Sequence, residues 1–312
     1  MTERTYKAMT FRSLTIACGL LAAVPHAAHA AAPSEVLAWG DPEYGQTAVP
    51  AAVKEGSSAI GAGAFHSLAV RDGAVHSWGS NRYGHSAVPA ALNSGVTAVS
   101  GGYLHSLALK SGGVVSWGAD RYDATAVPSA AKNGVEAIAA GQYFSLALKN
   151  GAVLAWGDNR KDQTEVPDAA ETGVTAIAAG AHHALALTKD GEVIAWGDNS
   201  KKQTDIPAEV KSGTVTAIAA GKDTSVAVVG GKVYAWGATY AAQKVPSGAQ
   251  SKVVQVAVAI ESLAALKEDG KVIEWKVNNT SATNVTGATD VRALAAGAHH
   301  FVALKGDPPE KS

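Results

Sequence analysis

Two rows of residues hold the side chains that could do chemistry, and both recur at one repeat spacing. The first row follows Trp-Gly pairs and contains Tyr44, Arg82-Tyr83, Arg121-Tyr122, Arg160-Lys161, Lys201-Lys202 and Tyr240, with Asp41, Asp120, Asp158 and Asp198 nearer the Trp-Gly. The second precedes Leu-Ala-Leu-like runs and contains Phe65, Tyr103, Tyr143-Phe144, His182-His183, Lys222-Asp223, Glu261 and His299-His300. Tyrosine and arginine bury much area yet keep a polar handle, and they anchor protein interfaces more often than other residues. The chemistry predicted is therefore protein recognition. Its residues are Tyr44, Phe65, Arg82, Tyr83, Tyr103, Arg121, Tyr122, Tyr143, Lys161, His182, Asp223 and Tyr240, with Asp158 and Asp198 expected to pair with basic groups of a target.

The other candidates for chemistry read as structural. His66, His105, His183 and His300 share a repeat position with Phe144, Thr224 and Ser262, which predicts a bond to a neighbouring loop. The adjacent pairs His182-His183 and His299-His300 stand three repeats apart, whereas a metal needs two or three histidines converging with a carboxylate. Asp158 and Asp198 recur at one position, which favours loop capping over acid-base work. Nucleophile elbows, phosphate-binding loops and zinc helix motifs do not occur. The reading is a binding protein, not an enzyme, with no metal or cofactor.

What must position these rows is a repeat. Seven tryptophans, Trp39, Trp78, Trp117, Trp156, Trp196, Trp236 and Trp275, are separated by 39 or 40 residues each. One supersecondary unit used seven times is the direct reading. Within a copy, runs such as Leu146-Ala147-Leu148 and Val153 to Trp156 flank Asn150-Gly151, a pair that accepts the positive φ of a two-residue hairpin turn. Runs ending at Val49, Val88, Val127, Val166, Ile206 and Val245, each followed by proline, predict another strand at an outer edge, and segments such as Val174 to Ala178 a fourth. Four short strands in about 40 residues match a propeller blade. The fold class predicted is all-β, a seven-bladed β-propeller of four-stranded blades. Small residues belong to the crowded inner strands, and the tryptophans to wedges between blades. The first Trp strand, Val36 to Gly40, lacks a preceding partner, and the run ending at Leu304 lacks a following one. Pairing them closes the ring and removes two exposed edges.

Antiparallel geometry sorts the loops. The segment before Leu-Ala-Leu and the segment after Trp-Gly lie on one face, and the tight turns and post-proline connections on the other. Both rows of candidate residues therefore share a face.

The chain opens with Arg4, Lys7 and Arg12, then an apolar run from Leu14 to Val24, then Ala28-His29-Ala30. A basic head, a run too short to span a bilayer and a small-x-small end predict a cleaved export signal over residues 1–30. A single propeller over 31–306 and a polar tail over 307–312 follow, with a secreted or periplasmic destination. The only cysteine, Cys18, leaves with the signal, and the formal charge moves from −1 to −3. Weak acidity argues against nucleic acid or an anionic membrane as partner, since both need a basic footprint. A monomer is expected.

The repeat, read as Ala-Ile-Ala-Ala-Gly (Ala137 to Gly141), Leu-Ala-Leu, a Gly turn, Trp-Gly-Asp-Asn (Trp156 to Asn159 and Trp196 to Asn199) and Gln-Thr-x-Val-Pro (Gln46 to Pro50), resembles the regulator of chromosome condensation repeat superfamily. Within it, the chain is most similar to the secreted bacterial type II beta-lactamase inhibitory proteins, over residues 35 to 305. The resemblance implies a seven-bladed, non-enzymatic propeller whose loop face clamps onto class A beta-lactamases. In that family the residue two before the Ser of Ser-Leu-Ala-Leu is an aromatic contact in blade after blade. Here the position holds Phe65, Leu104, Tyr143, His182, Asp223, Glu261 and His299, while Tyr44, Tyr83 and Tyr122 keep the aromatic pattern of the other row and Lys161 and Lys201 break it. The residues alone leave a second reading open, a carbohydrate or cell-wall binding module built on the same aromatic and Asp/Asn-bearing loops.

Overall fold

The computed structural model describes residues 34–238, 245–277 and 281–306. The expected export signal, the polar tail and Tyr240 lie outside them. The described chain forms seven antiparallel sheets, one per repeat. In the fourth blade the inner strand is Val174–Ala179, the middle strand His183–Thr188 and the outer strand Val193–Gly197. The middle strand is buried over its first five residues, because it is flanked by strands at both edges and by blades on both faces. An uninterrupted apolar run is what such a strand requires.

The core lies between blades. Trp196 packs with Leu146, Leu148 and Val153 of the preceding blade and Ile177 of its own, and Trp156 similarly with Leu107, Leu109 and Val114. Six tryptophans are buried wedges of this kind. Trp39 is half-buried and stacks on Phe301, ring centroids 5.4 Å apart. Closure follows the expected register: Val36–Gly40 pairs with His300–Lys305, Val36 opposite Leu304 and Gly40 opposite His300. The seventh blade is thus assembled from both ends of the described chain.

One expectation fails in detail. Among the described residues a fourth strand forms in a single blade, where Thr283–Asn284 pairs with Ile273 and Glu274. Elsewhere the Val-Pro segments stay outside the sheets. The valine or isoleucine N–H is turned back onto its own loop, Val49 to the Thr47 carbonyl, Val88 to Ser86, Val166 to Thr164 and Ile206 to Thr204 at 3.1 Å each, and the following proline has no N–H to offer. The Asn284-Val285-Thr286 stretch, which lacks the proline, is the one that pairs.

A buried polar chain ties the blades together. The imidazole Nε2 of His66 meets Ser106 Oγ at 2.7 Å, His105 meets Ser145 at 3.1 Å, His183 meets Ser225 at 2.9 Å and His300 meets Ser67 at 2.8 Å, each in the next blade. Where the first residue is not histidine, its counterpart one blade on is apolar: Phe144 with Ala184, Thr224 with Leu263 and Ser262 with Phe301. The pairing is complete in both directions, as a buried donor without an acceptor is costly. Each of these serines donates its hydroxyl hydrogen to a loop carbonyl, so the histidine must donate Nε2–H and carry a bare Nδ1. Room for the ring comes from glycine three residues earlier. A Cβ on Gly180 would stand 2.3 Å from His183 Cε1, and one on Gly102 2.4 Å from His105 Cε1. In the sixth blade the ring is absent and Ala259 occupies that place.

Candidate protein-docking face

Among the described residues, five of the loops that follow outer strands are each pinned over the next blade by one carbonyl that accepts a tryptophan indole N–H. Gln46 O accepts Trp78 Nε1–H at 2.8 Å and the Ser67 hydroxyl at 2.8 Å; His85 O accepts Trp117 and Ser106, Ala124 O accepts Trp156 and Ser145, and Gln203 O accepts Trp236 and Ser225. The tryptophans therefore do more than fill space. They hold the loops that carry the candidate site.

At the pinned position glutamine adds a staple that the recurrence of Gln46, Gln163 and Gln203 could have revealed. Its Oε1 accepts the backbone N–H two residues earlier, from Tyr44, Lys161 and Lys201, at 2.8 Å each. His85 stands in the same place, fully buried, with neither ring nitrogen partnered and its ring 4.6 Å from that of His66. A glutamine there would offer the Tyr83 N–H the acceptor that its counterparts have, and would replace two unpartnered ring nitrogens with one amide nitrogen, which at Gln163 is unpartnered as well. His85→Gln is expected to stabilise the protein by about 1 kcal/mol, a rise of about 2–4 °C in Tm. A thermal melt showing a lower Tm would contradict this account of the loop.

The structure places Tyr44, Phe65, Tyr103, Tyr143 and Tyr122 in one edge-to-face chain. Ring centroids lie 5.2 Å apart for Tyr44 and Phe65, 5.3 Å for Phe65 and Tyr103, 5.6 Å for Tyr103 and Tyr143, and 5.6 Å for Tyr122 and Tyr143. Guanidinium groups continue it, Arg121 5.7 Å over Tyr143 and Arg160 4.1 Å over Tyr122, while beside the chain Arg82 lies 5.5 Å over Tyr83, whose ring stacks on His85. These contacts hold large side chains in place before a partner arrives, which lowers the ordering cost of binding. Tyr44, Tyr83 and Tyr122 remain more than two-fifths exposed.

Beyond Tyr122 the surface becomes ionic. Asp158, expected to meet a target's basic group, is instead buried, its carboxylate gripped by Arg160 through Nε at 2.8 Å and Nη2 at 3.0 Å. The Arg160 hydrogen bond holds the carboxyl below its usual pKa. His182 Nδ1 approaches the other side of the carboxylate at 3.9 Å. Asp158 thus positions Arg160, a residue the sequence reading left out of the site although it shares the register of Arg82 and Arg121. Asp198 is likewise turned inward. Burial disfavours its charge, but hydrogen bonds from Ser200 and Gln203 and the Lys161 ammonium 3.7 Å away keep its pKa below the usual value. The two aspartates act as loop caps, and neither is free to pair with a target. Asp223 lies on the same face in the fifth blade, half-buried and away from the ring chain, its carbonyl accepting the Ala238 N–H.

The space along the propeller axis is lined by Gly61, Ala62, Ser100, Ala140, Ala179, Ala220, Val258 and Ala296 among others, small side chains with one hydroxyl between them. Among the described residues no group of three or more His, Cys, Asp or Glu side chains is placed to hold a metal ion.

Fold and face together define a propeller that presents preordered aromatic and guanidinium groups on its loop side. Two of its stretches, residues 58–84 and 174–203, match the Regulator of chromosome condensation (RCC1) repeat. Solved structures with this architecture include Prp20p from Saccharomyces cerevisiae (19% identity, 90% of this chain and 93% of that one, TM-score 0.70) and yeast RCC1 (Prp20) bound to Kap60 (18%, 99% and 97%, 0.70). Human WBSCR16 is similar to the same degree (19%, 88% and 99%, 0.70). At such identities the likeness is one of fold. No curated protein matches the chain.

Proposed function

We propose that this chain is an exported protein-binding propeller that acts by covering its target, and that the target is a class A beta-lactamase or a related penicillin-recognising enzyme. The observation that carries the binding role is the continuous ring chain from Tyr44 to Tyr122, exposed at its rim and continued by guanidiniums. One propeller of this fold, yeast RCC1 (Prp20), is described with protein partners in two solved structures, with Gsp1p and histones in one and with Kap60 in the other. The target class comes from the sequence resemblance. The mechanism is steric: a loop face closing over an active-site entrance excludes substrate, provided it buries the roughly 800 Å² per partner of a stable interface. The purified mature chain, titrated into nitrocefin hydrolysis by a panel of class A enzymes, is expected to give saturable inhibition of at least one. Undiminished hydrolysis across the panel at micromolar chain would refute this target class.

A further inference from the structure

We infer that the segment this face holds is acidic: a protruding polypeptide loop whose Asp or Glu carboxylates meet Arg82 and Arg121 while an apolar side chain lies on the rings between them. The inference rests on the docking role proposed above and adds the partner's chemistry.

Three consecutive blade loops carry arginine at one register, Arg82, Arg121 and Arg160, each over a tyrosine ring. Their charges are not equivalent. Arg160 is neutralised by the buried Asp158. Arg82 and Arg121 are exposed, and among the described residues neither has a carboxylate partner. The acids that could have served are turned into their own loops: Asp41 Oδ1 accepts the Glu43 N–H at 2.9 Å and Asp120 Oδ1 the Thr125 N–H at 3.0 Å. The outward acids Asp123 and Asp162 pair with neither arginine.

A guanidinium lying on a ring has already lost part of its hydration, and its planar fork matches a carboxylate in two hydrogen bonds. Two such forks beside exposed tyrosines complement an acidic loop with an apolar tip. A basic or uncharged segment would leave both cations covered and unpaired, at a cost no ring contact offsets.

A disulfide-constrained random peptide library displayed on phage, panned in parallel on the immobilised chain, on Arg82→Gln/Arg121→Gln and on Tyr83→Ala/Tyr122→Ala, reads this directly. All four positions are exposed, and circular dichroism of each variant verifies its fold. Loops selected on the parent are expected to be enriched about twofold or more in Asp and Glu, to carry an aromatic or aliphatic residue beside them, and to bind each double variant about tenfold or more weakly. Selected loops that are uncharged or basic, indifferent to the arginine variant yet lost on the tyrosine variant, overturn the acidic assignment and leave the docking role standing. Loops indifferent to both variants, or a library yielding no binder, overturn both. Retention of polygalacturonate in place of any peptide, abolished by Arg82→Gln/Arg121→Gln, overturns the polypeptide in favour of an acidic glycan.

Discussion

A chain lacking residues 34–40 is expected to lose its cooperative melting transition. The deletion strips His300–Lys305 of its outer partner along five register pairs and uncovers Phe301, Val302 and Leu304, all essentially inaccessible in the closed ring. It also removes the Trp39 indole from the Phe301 face and from Glu274 Oε2, which it meets at 2.9 Å. Burying a tryptophan and its neighbours contributes several kcal/mol at about 25 cal/mol per Å², comparable with the whole net stability of an ordinary domain at about 5–15 kcal/mol. The control is a permutant in which the same strand follows Lys305 through a two-residue Gly turn, the connection used in the first, second, third and fifth blades. It should melt like the parent. A deletion that also melts like the parent would contradict closure by this strand.

Acidification should produce the second large effect. His66, His105, His183 and His300 are buried, and burial lowers the pKa of each, to about 4 for His105, His183 and His300 and well below the usual 6.5 for His66. The neutral rings are therefore favoured in the folded state, while in the unfolded chain they take up protons as pH falls through 6.5. The stability they contribute is fully present above pH 6.5 and is lost as pH falls towards 4. Between pH 6.5 and pH 5, His105, His183 and His300 together lose roughly 5 kcal/mol, the slope approaching about 1.4 kcal/mol per pH unit for each, and His66 adds to the loss in the same direction. Guanidinium unfolding at pH 7.5 and pH 5.0 measures this. The double substitution His183→Phe/Ser225→Ala copies the Phe144–Ala184 arrangement one blade back and should flatten the slope by about one histidine's share. A pH-independent midpoint would contradict the neutral buried state of these rings.

The architecture could be read in advance because each blade repeats its burial pattern. Tryptophan spacing marks the blades, Asn150-Gly151 and its counterparts mark hairpins, and the unpaired ends at Val36 and Leu304 can only satisfy each other. The outer strand misled because Val-Pro looks like an edge strand, whereas the valine N–H closes on its own loop. The His–Ser chain was half visible. Histidine recurs at one position, but its partner emerges only when residues one blade apart are compared, His66 with Ser106 or Phe144 with Ala184. At the docking face the aromatic residues stood out because Tyr44, Tyr83 and Tyr122 recur at one loop position. Asp158 did not reveal its role, since exposure and inward rotation of a carboxylate depend on where Arg160 folds, and no spacing encodes that.

The central claim is that the ring chain docks a protein. Its most direct measurement is retention of a partner from the culture medium of the source cells on immobilised mature chain, compared with Tyr83→Ala/Tyr122→Ala and with Lys132→Ala/Lys211→Ala on the opposite face. The account predicts one protein held by the parent and by the lysine variant and released by the tyrosine variant. Equal retention by the tyrosine variant, or loss only with the lysine variant, would contradict it.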